Sequence, residues 1–141
     1  MKAGKLKESV LKRSVFKQLH KRNKEVLIGP AAGGDFGAVA VTEEMAVVLA
    51  SDPVTLSRDM VGSIAIQAAC NDVACSGAVP VGVSVTMLLP TSFNEEELRY
   101  LMKDLDKACE ICNVDILSGH TEVTRAVKEP LVIVTAMGTV H

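Results

Sequence analysis

The chain has 141 residues, 48% hydrophobic and 23% charged, with a formal net charge of −2. That length fits one domain with enough apolar content for a core, and the near-neutral balance lacks the electrostatic footprint of a nucleic-acid binder. No apolar run approaches the ~20 residues of a membrane span and the first residues carry no signal-peptide pattern, so a cytoplasmic protein bound to neither nucleic acid nor membrane is expected.

In chain order, Lys5 to about His20 reads as an amphipathic helix, with Leu6, Val10, Leu11, Val15 and Leu19 at helical spacing among lysines and arginines. A basic face of this kind is by default solvated. Arg22-Asn23-Lys24 breaks the pattern, and the apolar piece Val26-Leu27-Ile28 leads into a loop from Gly29 to Gly37. Four glycines within those nine residues free the backbone to approach a ligand, although neither GxGxxG nor the GxxxxGK[ST] phosphate loop is present. Ala38–Val41 and Met45–Ala50 read as a hairpin closed by Thr42-Glu43-Glu44. Ser57 is placed to cap a helix from near Arg58 that continues to Ser76, apolar on nearly every side and stopped by Gly77.

Val79–Leu89 alternates as a strand, and Asn94 caps a helix with Glu95, Glu96 and Glu97 in its first turn. Its apolar stripe is Leu98, Leu101, Met102, Leu105, Ala108 and Cys109. Val114–Leu117 is a strand running into the turn Ser118-Gly119-His120-Thr121-Glu122, and Leu131–Val140 is the last strand. The order helix, β, β, α, β, α, β, β predicts an α+β two-layer sandwich, a mixed four- to five-stranded sheet with helices on one face and hairpins at both ends. Since Val79–Leu89 offers little polar face to water, the other sheet face is expected to pack against a second copy.

Cys109 and Cys112 form one CxxC, but Cys70 and Cys75 stand about 140° apart on a helix, and His20, His120 and His141 add no metal-ligand spacing. The four thiols read as small buried hydrophobes. The carboxylates are more informative. Asp72 sits among Ala, Val, Ile and Cys, where a lone charge is costly unless something pairs with it; the simpler alternative is that it solvates a helix end. Asp35 lies in the glycine loop, Asp52 where a strand ends, and the Gly119 turn at another strand end. Ligand sites gather where strand ends open together. Crowded carboxylates call for a hard divalent cation, and Mg²⁺ commonly bridges one or two of them to substrate phosphates, with glycine-loop N–H groups on the phosphate oxygens.

Gly34-Asp35, Ser51-Asp52-Pro53, Asn71-Asp72-Val73-Ala74, Ser76-Gly77-Ala78-Val79-Pro80 and Ser118-Gly119-His120-Thr121-Glu122 occur in that order. With these motifs the chain resembles the N-terminal domain of the AIR synthase (PurM)-like superfamily, and within it the HypE-type hydrogenase maturation proteins most. The resemblance implies a nucleotide-binding domain over residues 33–141, a basic lead-in over residues 1–32, and a second, C-terminal domain outside this chain. It implies ATP and Mg²⁺ as cofactors, with ATP contacts at Gly33, Gly34, Asn71, Gly119, His120 and Thr121 and metal contacts at Asp35, Asp52, Asp72 and Glu122. It also implies homodimerisation through the sheet into a barrel. His120 stands where relatives carry aspartate in a Gly-Asp-Thr turn, which leaves Glu122 as the nearby carboxylate.

The activity implied is an ATP-dependent one that this domain does not complete alone, dehydration of a carboxamide to a cyano ligand alongside other hydrogenase maturation proteins. The alternatives are a non-catalytic dimerisation or partner-docking module, or another AIR-synthase-like activity such as a phosphotransferase or a ring-forming ligase.

Overall fold

The computed structural model describes residues 4–55 and 59–141. Its elements are α1 (Glu8–Ser14), a 3₁₀ turn (Phe16–Gln18), β1 (Val26–Ile28), β2 (Gly37–Ala40), β3 (Ala46–Val54), α2 (Val61–Cys75), β4 (Val79–Leu89), α3 (Glu95–Cys112), β5 (Asp115–Val123) and β6 (Leu131–Val140). One six-stranded sheet runs β1-β2-β3-β6-β4-β5, antiparallel except for the β4–β5 pair. This is the expected α+β layering, with one strand more than the sequence suggests. The apolar piece Val26–Ile28 supplies it by pairing with β2.

The last strand does not form a hairpin with β5. It inserts between β3 and β4, antiparallel to both, so β3 and β4 run the same way on either side of it. α2 therefore crosses over β6, and α3 makes the shorter crossover between the parallel neighbours β4 and β5. β3 also continues past Ala50 through Asp52 and Pro53. Pairing with β2 ends at Leu49, so Pro53 sits where β3 has only β6 beside it and its missing N–H breaks no ladder.

Alternation puts Val48, Ala50 and Val54 of β3, Val83, Val85, Met87 and Leu89 of β4, and Val132, Val134 and Ala136 of β6 on the helix-covered side, all buried. Against them lie Val61, Ala65, Ile66, Ala69 and Val73 of α2, with Leu101, Leu105 and Ala108 of α3 completing the core. α2 packs on β3, β6 and β4 on one side and on α3 on the other, which is why its sequence lacks a polar face. The opposite sheet face is mixed. Leu49, Leu88, Ile133 and Met137 alternate there with hydroxyls, and Ser51–Thr135 and Ser118–Ser84 are hydrogen-bonded pairs at 2.9 Å each.

The helix ends have local causes. Asn94 and Glu97 form a reciprocal capping box at the start of α3, Asn94 Oδ1 accepting from the Glu97 N–H at 2.9 Å. Phe93 and Leu98 flank that cap and both pack on the core, the arrangement of a hydrophobic staple. The expected Ser57 cap and Arg58 start of α2 lie outside the described residues. α2 begins instead after Met60, whose left-handed backbone (φ 59°) offers no side-chain cap. Asp104 of α3 takes over, accepting from the Ser63 N–H at 2.9 Å and from the Ser63 hydroxyl. A carboxylate at this helix start also suits the helix dipole.

α1 is shorter than the expected Lys5–His20 helix, and none of its residues is buried. An amphipathic stripe with nothing to pack on does not hold a long helix.

The Asp104 anchor brings the two helices close at Gly62, where a Cβ would lie 2.8 Å from Leu105 Cγ and 3.0 Å from the Leu105 nitrogen. Alanine is the better helix former by ~1 kcal/mol, but overpacking against a fully buried leucine costs about 1–3 kcal/mol. Gly62→Ala is therefore expected to lower the urea-unfolding free energy; a gain in stability would show that α2 and α3 are not this close.

Candidate functional site

Asp52 lies on the helix-covered side of β3, opposite the buried Val134, and Asp72 lies in the last turns of α2 above the sheet. Asp52 stands close enough to act on the Asp72 carboxyl, and the charge of Asp35 from the glycine loop also reaches it. Burial first, then the Asp52 bond and charge, then Asp35, push the Asp72 carboxyl up from its ordinary 3.8 to about 6. Acidic residues from two other stretches of chain thus act on Asp72. Lys5 is the cation that partly offsets this at Asp72. It lies 67 positions away in a segment rich in lysine, and no local sequence signal marks it out.

The glycine loop borders this point. Gly33 has φ +76° with open space where a Cβ would stand, and the Gly34 N–H is held by Ala31 O at 3.2 Å. Beneath the loop a recess of ≈ 230 Å³ is lined by Pro30, Asp35, Phe36, Leu49 and Ser51. Asn71, beside Asp72, is exposed. Among the described residues no group of three His, Cys, Asp or Glu side chains is already arranged to hold a metal ion. The donor set is the kind Mg²⁺ takes, few carboxylates with the remaining positions left to water and phosphate oxygens, and mutual repulsion among the aspartates is what a cation would relieve.

The Ser118–Glu122 stretch is not a turn after a strand but the middle of β5, an edge strand exposed throughout. Register places Ser118, His120 and Glu122 beside Ser84, Thr86 and Leu88, on the open sheet face. There His120 Nε2 and Glu122 Oε2 approach to 3.4 Å. Gly119 lies so close over β4 that a Cβ would meet Val85 O at 2.1 Å, so only glycine fits that crossing. Thr121 and Gly119 border a recess of ≈ 200 Å³ closed by Met87, Met102 and Ile116. Within one chain, then, Asp52 and Asp72 meet on the helix-covered side with the charge of Asp35 in reach, whereas His120 and Glu122 stand on the far face of the sheet.

The cysteines are all free thiols. Cys70 and Cys109 are buried between α2 and α3, Cys112 is half-buried and Cys75 exposed. Burial, with the neighbouring Cys112, pushes Cys70 up to about 12, and burial and nearby acidic charge push Cys109 to about 11, which leaves both unreactive.

The family described as AIR synthase related protein, N-terminal domain, matches residues 33–140. The chain is 23% identical over 141 residues to a protein of Methanocaldococcus jannaschii named for hydrogenase expression/formation, covering 97% of this chain and 42% of that protein. It is 27% identical over 111 residues to the carbamoyl dehydratase HypE of Cupriavidus necator, covering 75% and 32%. The chain thus spans less than half the length of these curated relatives.

Solved structures share the fold. The HypE–HypF complex matches with TM-score 0.72 at 21% identity, over 93% of this chain and 42% of the other. PurLQS from Thermotoga maritima matches with TM-score 0.79 at 18%, over 100% and 27%. A third, the Aquifex aeolicus thiamine monophosphate kinase complexed with AMPPCP and TMP, matches with TM-score 0.66 at 18%, over 76% and 36%.

Because the folded protein holds the Asp72 proton more tightly than the unfolded chain does, folding stability should fall as pH rises from about 4 through about 6 and stay lower above that. Asp72→Asn is expected to raise stability at neutral pH by about 1 kcal/mol, allowing for solvent screening, and to flatten this fall. Denaturant unfolding across that range checks it, and identical pH profiles for the two proteins would contradict it.

Proposed function

The chain belongs to the AIR synthase related family as its N-terminal domain, and we propose that it is the ATP- and Mg²⁺-binding half of an ATP-dependent enzyme of the HypE type. The observation that carries this reading is the convergence of Asp35, Asp52 and Asp72, with a raised Asp72 carboxyl, beside a glycine loop. An Asp72 carboxyl crowded by Asp52 and within reach of Asp35 calls for a ligand that compensates the negative charge.

In this reading Asp35, Asp52 and Asp72 would hold Mg²⁺, which when bound would supply positive charge beside the nucleotide phosphates. The backbone N–H of Gly33 would meet a phosphate oxygen, and Gly34, whose own N–H is held by Ala31 O, would allow close approach because no side chain stands in the way. Asn71 offers an amide at the same helix end. Lys5 balances the negative field before the ligand arrives. His120 and Glu122 of β5 serve the far side of the sheet, while Gly119, whose close crossing keeps the strand seated on β4, and Thr121 face the helix layer.

Dimerisation follows from that far face. Leu49, Ile133 and Met137 there are only partly covered, and a second copy packed sheet to sheet would bury them while hydroxyl pairs and the His120–Glu122 pair supply matching polar contacts. No described helix is long and apolar enough to cross a membrane.

The relatives set the chemistry proposed. One is named a carbamoyl dehydratase, and another HypE is solved in complex with HypF, so activation of a carboxamide oxygen in hydrogenase maturation is the leading activity and maturation proteins the leading partners. The kinase complexed with AMPPCP and TMP supports nucleotide binding on this fold, and it keeps phosphoryl transfer to another acceptor as the second reading.

Calorimetry with ATP, in Mg²⁺ and in chelator, tests the site. Binding is expected only with the cation, and Asp72→Asn should weaken it by about tenfold or more through loss of a charged oxygen ligand. Equal affinity of the two proteins, or equal binding in chelator, would sink the proposal.

A further inference from the structure

The seam between α2 and α3 holds thiols that the carboxylate site does not use, and strand direction sets how the two helices meet there. β3 and β4 both run antiparallel to β6, and β5 runs parallel to β4. α2 returns the chain from the end of β3 to the start of β4, and α3 from the end of β4 to the start of β5. The two helices therefore lie side by side and point the same way. Their register is pinned near the start of α2, where Asp104 accepts from the Ser63 N–H at 2.9 Å and Gly62 lies against Leu105.

From that pin, Cys70 stands seven residues beyond Ser63 and Cys112 seven beyond Leu105. Seven residues make about two turns and roughly 10 Å of rise. Each thiol thus returns to the side of its helix that faces the other, at about the same height. Burial agrees with the register: Cys70 is a core residue at 5% exposure, and Cys112 packs on the same core from its half-buried place at the end of α3. Cys112 also stands close enough to act on the Cys70 thiol.

The remaining thiols are less well matched. Cys75 is exposed and points about 140° around α2 from Cys70. Cys109 and Cys112 share one helix at i, i+3 spacing, which keeps Cβ atoms about 5–6 Å apart, wider than the ~3.5–4.5 Å that a disulfide needs.

We propose that Cys70 and Cys112 are a dithiol site at which a low-molecular-weight disulfide writes a covalent bond between α2 and α3. Cys112, the half-buried partner, is the point of entry. Its thiolate attacks one sulfur of the small disulfide, which forms a mixed disulfide and releases one small thiolate. Cys70, closed to reagents in solution, meets only the sulfur beside it. As it gives up its proton it attacks Sγ of Cys112 and expels the second small thiolate. Two protein thiols become one disulfide, the small disulfide is reduced to two thiols, and the two protons lost by the protein end on them. Asn71 and Asp72 follow Cys70 directly in the last turns of α2. The bond therefore ties down the turn that carries them, whether or not a nucleotide binds there.

The test uses the full chain with Cys75→Ser, which removes the exposed thiol. The folded protein is incubated with oxidised glutathione, remaining thiols are blocked with N-ethylmaleimide in denaturant, and the peptides are read by mass spectrometry. The expected product joins Cys70 to Cys112 within one chain and leaves Cys109 blocked as a free thiol. Amide hydrogen exchange over residues 71–75 should slow about tenfold on oxidation and recover with dithiothreitol. Adding Cys112→Ser, a change at a half-buried helix end, should abolish both the link and the slowing while thermal unfolding of the reduced protein stays the same. Cys112 recovered only as its glutathione adduct would show that Cys70 is out of reach and overturn the proposal. So would a Cys109–Cys112 bond, links only between chains, or exchange that the link leaves unchanged.

Discussion

α2 is held between the sheet and α3 by small side chains, by the close approach at Gly62 and by Asp104 bonded to its first turn. Those contacts leave the helix little freedom to slide, and they fix Asp72 above Asp52. A helix free to shift by one turn, roughly 5 Å, could carry its carboxylate to water. This one cannot, so the repulsion between the two aspartates is built into the packing, and the rest of the site is arranged around it.

That repulsion has a cost and a use. Burial and the neighbouring aspartates raise the Asp72 carboxyl to about 6, with Lys5 partly offsetting them. A divalent cation with phosphates would remove the cost, so ligand binding and folding stability are linked at this point. The far face of the sheet has a different character. Its hydroxyl pairs and the His120–Glu122 pair are modest, exposed contacts that contribute little on their own but become specific when a matching surface covers them. The molecule therefore has crowded carboxyls on the helix-covered side and a mixed, partly apolar face on the other.

Much of this was legible in the sequence. The alternation of Val79–Leu89 located β4, Asn94 with Glu97 located the start of α3, and an all-round apolar segment located α2, because each signal is local and physical. The odd placement of Asp72 among apolar residues singled it out, and the structure sets it beside Asp52. What the sequence did not show depends on long-range pairing. The insertion of β6 between β3 and β4 gives β3 a partner beyond Ala50 and makes Asp52 a mid-strand residue. Pairing with β4 likewise turns Ser118–Glu122 into strand and sends His120 and Glu122 to the face away from the aspartates. The cap on α2 comes from Asp104, 41 positions from Ser63. The long N-terminal helix failed to form over its full predicted span because periodicity records an apolar stripe but not whether anything covers it.

The central claim is that the Asp72 proton must leave when a cation and nucleotide bind. Calorimetric titration of Mg²⁺·ATP near pH 6, in buffers of different ionisation enthalpy, counts protons released. The account predicts that the wild-type protein releases a substantial fraction of a proton more than Asp72→Asn, with the difference vanishing about two pH units higher. No difference near pH 6, or net proton uptake at Asp72, would contradict it.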